Sequence, residues 1–244
     1  LITAKLAVKE SLLLLNKDMR RKKNYKFDKV IRKEFKSNID NKIETKIIRS
    51  LKDTRIDILS EEIGLIKTRK KNNNLLWIID PIDGTANYVR NLGESSVSIA
   101  LFEGDTPIFG VIGTYPEGKI YWGGKKIGSF CDETRIKTSF IRRKKNAILC
   151  TGFPSRFTTK NHNLDKILKE YMKYAKVRMF GSASISIIKI AEGKAEAYFE
   201  NDIMIWDVAA ASAILLGAGG KVIFKKGNFI NSFNVFASNQ RLER

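Results

Sequence analysis

Histidine, cysteine and proline are scarce in this chain of 244 residues, which contains one histidine, two cysteines and four prolines. With only Cys131 and Cys150 and no CxxC pair, a disulfide framework and a structural zinc site are both disfavoured. The leucine run at residues 12–15 is too short to cross a bilayer, so we expect no membrane partner. The chain starts at Leu1 without an initiator Met, and we expect a few residues before it. These features favour a protein of the reducing cytoplasm.

Acidic residues are also few. The chain contains 26 Asp and Glu against 45 Lys and Arg, which gives a net charge of +19. Such a charge can attract nucleic acid. The basic runs, however, are separated by ordinary globular sequence and lack the interleaved aromatic residues of a base-stacking platform. We therefore favour a solvated basic surface that also attracts phosphorylated substrates, and a nucleic-acid partner stays an alternative.

Hydrophobic periodicity predicts a mixed α+β protein. Apolar residues at helical spacing predict two N-terminal helices separated by a loop at residues 19–25, with Val30, Ile31 and Phe35 already in the second helix. An apolar run predicts a buried strand at 75–79 that ends at Asp80-Pro, because proline cannot donate to a ladder. Three further apolar runs between residues 95 and 122 predict an antiparallel meander.

The second half alternates between strand and helix patterns, which favours an α/β unit. We predict strands at 146–150, 177–180, 195–200 and 221–224, and helices at 164–175, 184–192 and 208–216. The basic, polar stretch at 132–145 is the best candidate for a domain boundary. The sequence therefore predicts an N-terminal α+β domain at 1–140 and a C-terminal α/β domain at 141–244.

The segment Trp77-Ile-Ile-Asp-Pro-Ile-Asp-Gly-Thr-Ala-Asn carries the strongest chemical signal. Asp80 and Asp83 flank a turn that proline stiffens, and with the Ile82 carbonyl they offer three oxygen ligands to a hard divalent cation. If a helix begins at Gly84-Thr, its free N–H groups face an anion such as phosphate. A simple Asp-Gly turn with a helix-capping aspartate is the plainer interpretation.

Two distant segments supply further carboxylates. Glu61 follows a strand-like run at 56–59 and can reach the same strand end from a neighbouring strand. Asp207 starts an alanine-rich helix, where an acid that caps the helix is the simpler interpretation. Phosphatases of the haloacid-dehalogenase type carry DxDGT with a nucleophilic first aspartate, but here two residues separate Asp80 from Asp83.

The order of these motifs resembles that of the inositol monophosphatase family, within the lithium-sensitive, metal-dependent sugar phosphatases. Asp80-Pro-Ile-Asp-Gly-Thr-Ala-Asn resembles its DPxDGTxN signature. Trp206-Asp-Val-Ala-Ala, followed by Ala218-Gly-Gly, resembles its WDxAA…AGG signature. Three shorter motifs lie between them in the family's order: Thr151-Gly-Phe-Pro, Gly181-Ser-Ala and Glu196-Ala-Tyr-Phe-Glu. The similarity covers most of the chain from about residue 35.

The resemblance implies a layered α/β/α/β/α sandwich, a homodimer, and two or three Mg²⁺ per site. It implies that the first Mg²⁺ is bound by Glu61, Asp80 and the Ile82 carbonyl, and the second by Asp80, Asp83 and Asp207. The catalytic residues that match the family are Thr85, which orients the attacking water, its partner Asp40, and Glu61 and Asp83. The substrate contacts that match are Gly84, Thr85, Gly181, Ser182, Ala183, Glu200 and Asp207.

The implied reaction is hydrolysis of a small polyol or sugar phosphate by a metal-activated water, without a phosphoenzyme. Gly181-Ser-Ala together with Glu200 favours inositol 1-phosphate. Fructose 1,6-bisphosphate is the runner-up, and histidinol phosphate and 3'-phosphoadenosine nucleotides are other substrates of related enzymes. A non-enzymatic alternative, a basic RNA- or ribosome-associated regulator, is supported only by the charge of +19.

Overall fold

The computed structural model describes residues 1–21, 29–31, 34–36, 38–68, 74–153 and 164–243. In these ranges the chain forms an eight-stranded sheet, a five-stranded sheet, a small β-hairpin and six α-helices. The α+β class predicted from the sequence is confirmed. The predicted loop at 19–25 was wrong for residues 19–21, which are still helical, and its remainder at 22–25 lies outside the described residues, as does Pro154 of the Thr151-Gly-Phe-Pro motif.

Two helices cover the outer face of the larger sheet. They are α1 (Ile2–Arg21) and α2 (Asn38–Leu51), and both were predicted from their apolar spacing. The prediction was wrong for the residues before Asn38, because they form a hairpin of β1 (Lys29–Ile31) and β2 (Glu34–Lys36). Over so few residues, apolar spacing does not distinguish a strand from a helix.

The eight-stranded sheet has the order β10-β9-β8-β7-β6-β5-β3-β4. All its neighbouring strands are antiparallel except β3 and β5, which are parallel. The predicted meander is confirmed as β6 to β8, and it continues into two strands that were not predicted, β9 and β10. The bounds are β3 (Asp57–Ser60), β4 (Gly64–Ile66), β5 (Leu75–Asp83), β6 (Ser95–Glu103), β7 (Thr106–Tyr115), β8 (Ile120–Gly124), β9 (Gly128–Cys131) and β10 (Thr134–Arg135).

Strand β5 is longer than the sequence predicted. The expectation that it ends at Asp80-Pro was wrong, since it continues to Asp83. Its pairing with β6 shifts register between Asp80 and Asp83. Such an irregularity accommodates Pro81, because a residue outside the regular ladder needs no N–H. Both aspartates therefore lie at the carboxyl end of one strand.

The five-stranded sheet has the order β12-β11-β13-β15-β14 and is mixed. β11 is parallel to β12 and β13, whereas β15 runs antiparallel to β13 and β14. The predicted alternation is confirmed through β14, but β15 was not predicted as a strand. The bounds are β11 (Ile148–Thr151), β12 (Lys176–Arg178), β13 (Ala197–Met204), β14 (Lys221–Lys226), β15 (Ser232–Ser238), α4 (Leu164–Tyr171), α5 (Ala183–Ala191) and α6 (Ile205–Gly217).

Helices α5 and α6 form the middle layer between the two sheets. A continuous apolar core joins Ile78 and Ile112 of the larger sheet to Ile187 of α5, Ile214 of α6 and Tyr198 of the smaller sheet. A separate cluster packs α4 on the opposite face of the smaller sheet. These layers form the predicted α/β/α/β/α sandwich, whereas the division at residue 140 stays a prediction. Among the described helices, none has the length and apolar character needed to span a bilayer.

Candidate metal and phosphate site

Strand pairing brings the acidic residues to one edge of the larger sheet. β3 and β5 are parallel neighbours, so their carboxyl ends meet at the same edge. Glu61 directly follows β3, and Asp80 and Asp83 lie in the last part of β5. Asp207 approaches from the middle layer, in the first turn of α6. Residues far apart in sequence are thus assembled by topology alone.

Three of these side chains form a compact cluster. Asp80, Asp83 and Asp207 can each offer one carboxylate oxygen such that the three oxygens lie within 4.8 Å of one another. Asp80 is fully buried, Asp83 is buried, and Asp207 is partly exposed. Oδ1 of Asp80 accepts a hydrogen bond of 2.9 Å from the Ile82 amide. Its buried Oδ2 receives none from any donor in the described ranges.

Burial and mutual repulsion favour the protonated forms of these carboxyl groups. Burial raises the pKa of Asp80 well above its usual value, and the nearby charges of Glu61, Asp83 and Asp207 raise it further. Burial also raises the pKa of Asp207, with added repulsion from Asp83 and Glu61. Glu61 therefore belongs electrostatically to the same cluster. Several ionised carboxylates in one buried site need positive charge to compensate them.

The donor set fits a hard divalent cation. Carboxylate oxygens are the ligands that such cations prefer, and soft metals instead favour sulfur. The buried Oδ2 of Asp80 has no hydrogen-bond donor among the described residues, which is costly unless a cation takes that place. The arrangement can therefore hold a metal ion between the two sheets.

A tight turn joins the cluster to helix α3 (Thr85–Arg90). Gly84 precedes the helix in the left-handed region with φ of 81°. A Cβ at this position would lie 3.1 Å from the Glu94 carbonyl oxygen and 3.2 Å from that of Gly181. Glycine is thus required both by its backbone conformation and by the close approach of the segment that contains Gly181.

The Thr85 hydroxyl lies between two oxygen acceptors. Its Oγ1 donates to the Ile82 carbonyl at 2.9 Å and lies 3.4 Å from Oδ1 of Asp40. Asp40 occupies the first turn of α2 and is buried. The structure thus brings together the threonine and aspartate that the sequence resemblance paired across 45 residues.

Asn87 was not singled out by sequence reasoning, although it ends the DPIDGTAN motif. Its Nδ2 donates to the Phe180 carbonyl at 2.6 Å and to the Glu94 carbonyl at 3.0 Å. One amide group therefore ties α3 to the segment before Gly181. This contact links α3 to the segment predicted to contact the substrate.

Asp83 is held by the start of α5. Its Oδ2 accepts hydrogen bonds from the Ser182 hydroxyl at 2.6 Å, the Ser184 amide at 2.8 Å, and the Ser184 hydroxyl. The sequence assigned Ser182 and Ala183 to the substrate, and that role stays a prediction, since the Ser182 hydroxyl is engaged with Asp83 in the structure. Ser184 was missed, because no local motif marks a donor that lies 101 residues from its acceptor.

Glu200 lies on β13, close enough to the cluster to interact with its charges. It is 6% exposed, and the Tyr198 hydroxyl donates to its Oε2 at 2.8 Å. Burial raises the pKa of Glu200 to about 8, and the charge of Asp83 adds to the shift, while the Tyr198 hydrogen bond opposes it. Glu200 thus offers a buried acceptor beside the cluster.

Glu44 is a second residue that sequence reasoning missed. It is fully buried on α2, and its Oε1 accepts hydrogen bonds from the Ser60 hydroxyl and from the amides of Glu62 and Ile63, at 3.0 and 3.3 Å. These contacts hold the turn that carries Glu61. Only the helical spacing from Asp40 to Glu44 could have placed the two acids on the same side of α2.

A buried carboxylate cluster between two sheets, beside a glycine turn at a helix start, is typical of a metal-dependent phosphate hydrolase. A sequence model described as the inositol monophosphatase family matches residues 1–244. The chain belongs to this family and is a phosphomonoesterase. The family resemblance inferred from the motifs is therefore confirmed.

Individual relatives show how far the similarity extends. Nus factor SuhB of Xylella fastidiosa is 34% identical over 199 residues, which cover 80% of this chain and 71% of that protein. Inositol-1-monophosphatase of Caulobacter vibrioides is 31% identical over 217 residues, 86% of this chain and 84% of that protein. The solved structure of inositol monophosphatase from Anabaena (Nostoc) has a TM-score of 0.83 and 27% identity, and covers 99% of this chain and 90% of that chain.

Proposed function

We propose that the protein hydrolyses inositol 1-phosphate, or a closely similar polyol phosphate, with Mg²⁺ bound at the carboxylate cluster. The observation that carries the proposal is the grouping of carboxylate oxygens of Asp80, Asp83 and Asp207 within 4.8 Å of one another. Thr85 donates to the Ile82 carbonyl, and Glu200 is near enough to Asp83 to respond to its charge. Oxygen ligands of this kind suit Mg²⁺. The relative from Caulobacter named inositol-1-monophosphatase supports this choice of substrate.

The residues that would hold the cations are those the sequence resemblance assigned. They are Glu61, Asp80 and the Ile82 carbonyl for one ion, and Asp80, Asp83 and Asp207 for a second. When bound, Mg²⁺ supplies positive charge to the phosphate and lowers the pKa of water. The protein holds these carboxylate oxygens close together in a buried site. Their mutual repulsion there is relieved when a cation binds.

Thr85 and Asp40 are proposed to orient the attacking water. Asp40 can accept the Thr85 hydroxyl hydrogen, since Oδ1 lies 3.4 Å from Oγ1. The Thr85 oxygen then accepts a hydrogen bond from the water. This contact orients the water so that one lone pair of the water oxygen faces the phosphorus atom. Proper alignment of a nucleophile with its target accounts for a large share of enzymatic rate enhancement.

The turn at Gly84 is proposed to bind the phosphate group of the substrate. The part of the site next to α5 is proposed to bind the alcohol portion of the substrate. Gly84 is the N-cap of α3 and Thr85 its first residue, and N–H groups at the start of a helix have no partner within the helix. Glu200 is proposed to accept hydrogen bonds from substrate hydroxyls, and the exposed Gly181 to contact the same part of the substrate. A buried acceptor of this kind selects a ligand that offers hydroxyl donors over one that lacks them.

Phosphate release from a substrate panel tests the proposal. The panel contains inositol 1-phosphate, fructose 1,6-bisphosphate, histidinol phosphate and 3'-phosphoadenosine 5'-phosphate, each with and without Mg²⁺. We expect Mg²⁺-dependent turnover that is highest for inositol 1-phosphate and is lost in Asp83→Asn. Higher turnover of fructose 1,6-bisphosphate would replace the proposed substrate, and turnover without divalent cations would refute the metal-dependent site.

A second role, as a basic RNA- or ribosome-associated regulator, is favoured by the relative named Nus factor SuhB and by the charge of +19. Such a role predicts RNA binding that weakens steeply with salt, because Lys and Arg displace counterions from phosphates. A fluorescently labelled structured RNA, titrated at several salt concentrations, measures this. RNA binding that persists in Asp83→Asn would separate this role from catalysis. If no RNA binding is detected at micromolar protein concentration even at low salt, the regulatory role is excluded.

A further inference from the structure

The start of α5 directs three hydrogen bonds to a single oxygen of Asp83. The donors are the hydroxyls of Ser182 and Ser184 and the Ser184 amide, and all three point to Oδ2. Both serines are buried, with Ser184 fully removed from solvent. A carboxylate oxygen has about two lone-pair positions, so three donors saturate it.

The surrounding contacts allow both hydroxyl hydrogens to point to Asp83. The Ser182 Oγ accepts a hydrogen bond from the Ile185 amide at 3.2 Å, as the N-cap of α5, so its own hydrogen is free to point to Asp83. The Ser184 Oγ lies 2.7 Å from the Ser96 Oγ on β6. When Ser96 donates to Ser184, the Ser184 hydrogen also points to Asp83. A buried chain of hydroxyls therefore leads from β6 to the carboxylate.

We propose that Ser182 and Ser184 are positioning residues of the metal site, which hold Oδ2 of Asp83 so that Oδ1 serves as its cation ligand. The inference rests on the proposed function of Asp83. It also gives Ser182 a role different from substrate contact.

The effect expected from losing one such contact is known in general terms. Groups that hydrogen-bond to metal ligands fix the orientation of the ligand, and their removal commonly weakens metal binding 10- to 100-fold. Ser184→Ala removes one hydroxyl donor and leaves the Ser184 amide and Ser182 in place. We therefore expect this variant at the lower end of that range, about a tenfold weaker affinity for Mg²⁺.

Calorimetric titration of the metal-free protein with Mg²⁺ measures this affinity without reference to activity. Ser212→Ala is the matched control, because Ser212 of α6 is fully buried and its hydroxyl has no hydrogen-bond partner in the described part of the chain. We expect Ser212→Ala to bind Mg²⁺ as the unaltered protein does. Ser96→Ala keeps both serines on Asp83 but removes the group behind Ser184, and we expect a loss of roughly two- to threefold, below that of a direct contact.

The outcomes separate this inference from the proposed function. If the unaltered protein binds no Mg²⁺, the proposed metal site fails and the inference with it. If it binds Mg²⁺ and Ser184→Ala binds equally tightly, the positioning role is overturned while the proposed function stands. If metal-free Ser184→Ala has a lowered melting temperature but an unchanged affinity for Mg²⁺, Ser184 has a purely structural role. If Ser184→Ala does not fold, unchanged affinity in Ser96→Ala overturns the inference.

Discussion

Asp207 combines two roles that sequence reasoning treated as alternatives. Its Oδ2 accepts the Met204 amide at 3.2 Å, which caps the start of α6. The same side chain lies in the cluster with Asp80 and Asp83. The capping hydrogen bond thus holds the Asp207 carboxylate within the cluster. A helix-capping role and a metal-binding role for Asp207 are therefore compatible.

Asp207→Asn should therefore abolish most activity without unfolding the protein. Asparagine caps helices about as well as aspartate, so α6 keeps its start, but the negative charge is lost. We expect Mg²⁺-dependent phosphate release to fall by about 10²- to 10³-fold, the usual effect of deleting one electrostatic element of an active site. Asp105→Asn, in the exposed turn after β6, should leave the rate unchanged. Full activity in Asp207→Asn would exclude this residue from the site.

Glu200 should make the metal-free protein less stable as pH rises. Its pKa is about 8 in the folded protein, above the ordinary value of 4.5, because burial disfavours the ionised form. The protonated carboxyl thus contributes its full stability below pH 4.5, and this contribution is lost as pH rises through about 8. We expect urea titrations to show a smaller loss of unfolding free energy over this range in Glu200→Gln. If the free energy of unfolding falls equally with pH in both proteins, the raised pKa of Glu200 is contradicted.

Secondary structure was predictable where one element carries its own pattern. α2 and the strands β6 to β8 follow from local apolar spacing, because each presents one face to a core. The hairpin of β1 and β2 and the full length of β5 were not predictable in this way. The end of β5 depends on a shift in its pairing with β6, which local sequence does not contain. Tertiary pairing overrides local preference at such places.

The turn between β3 and β4 depends on α2 for its position. Glu44 accepts the Ser60 hydroxyl and two backbone amides of this turn, so Glu44→Ala leaves one buried hydroxyl and two partly buried amides without their acceptor. We expect a loss of about 1–3 kcal/mol in the free energy of unfolding, the usual cost of one unsatisfied buried group, because the two partly buried amides can bind water instead.

Urea titration measures this loss, and Glu10→Ala provides the control. Glu10 also contacts α2, through an exposed ion pair of 2.8 Å with Lys46, and such pairs contribute about 0–1 kcal/mol. Mg²⁺ binding should weaken in Glu44→Ala as well, since the turn carries Glu61. Similar stability losses in the two variants would show that Glu44 does not hold the turn.

For the molecule as a whole, the site was predictable in part. Asp80, Asp83 and Thr85 lie within one short segment, so a local motif revealed them. Ser184 and Glu44 act through contacts that only the assembled layers create, and no spacing rule identifies such partners. The sequence thus indicates the groups that perform the chemistry more readily than those that position them, because positioning depends on the packing of separate elements.

Folding and metal binding should be linked through pH. Burial and repulsion raise the pKa values of Asp80 and Asp207, so protons compete with a cation for these oxygens, and the competition weakens as pH rises. With Mg²⁺ at about 100 times its dissociation constant, binding stabilises the folded state by roughly 2.7 kcal/mol, which raises the melting temperature by about 5–10 °C. We expect this increase at pH near 8 and a smaller one at pH near 6, measured by calorimetry at fixed Mg²⁺ concentration. Asp83→Asn should show little increase at either pH. A larger shift at the lower pH would mean that Mg²⁺ binds elsewhere than at this carboxylate cluster.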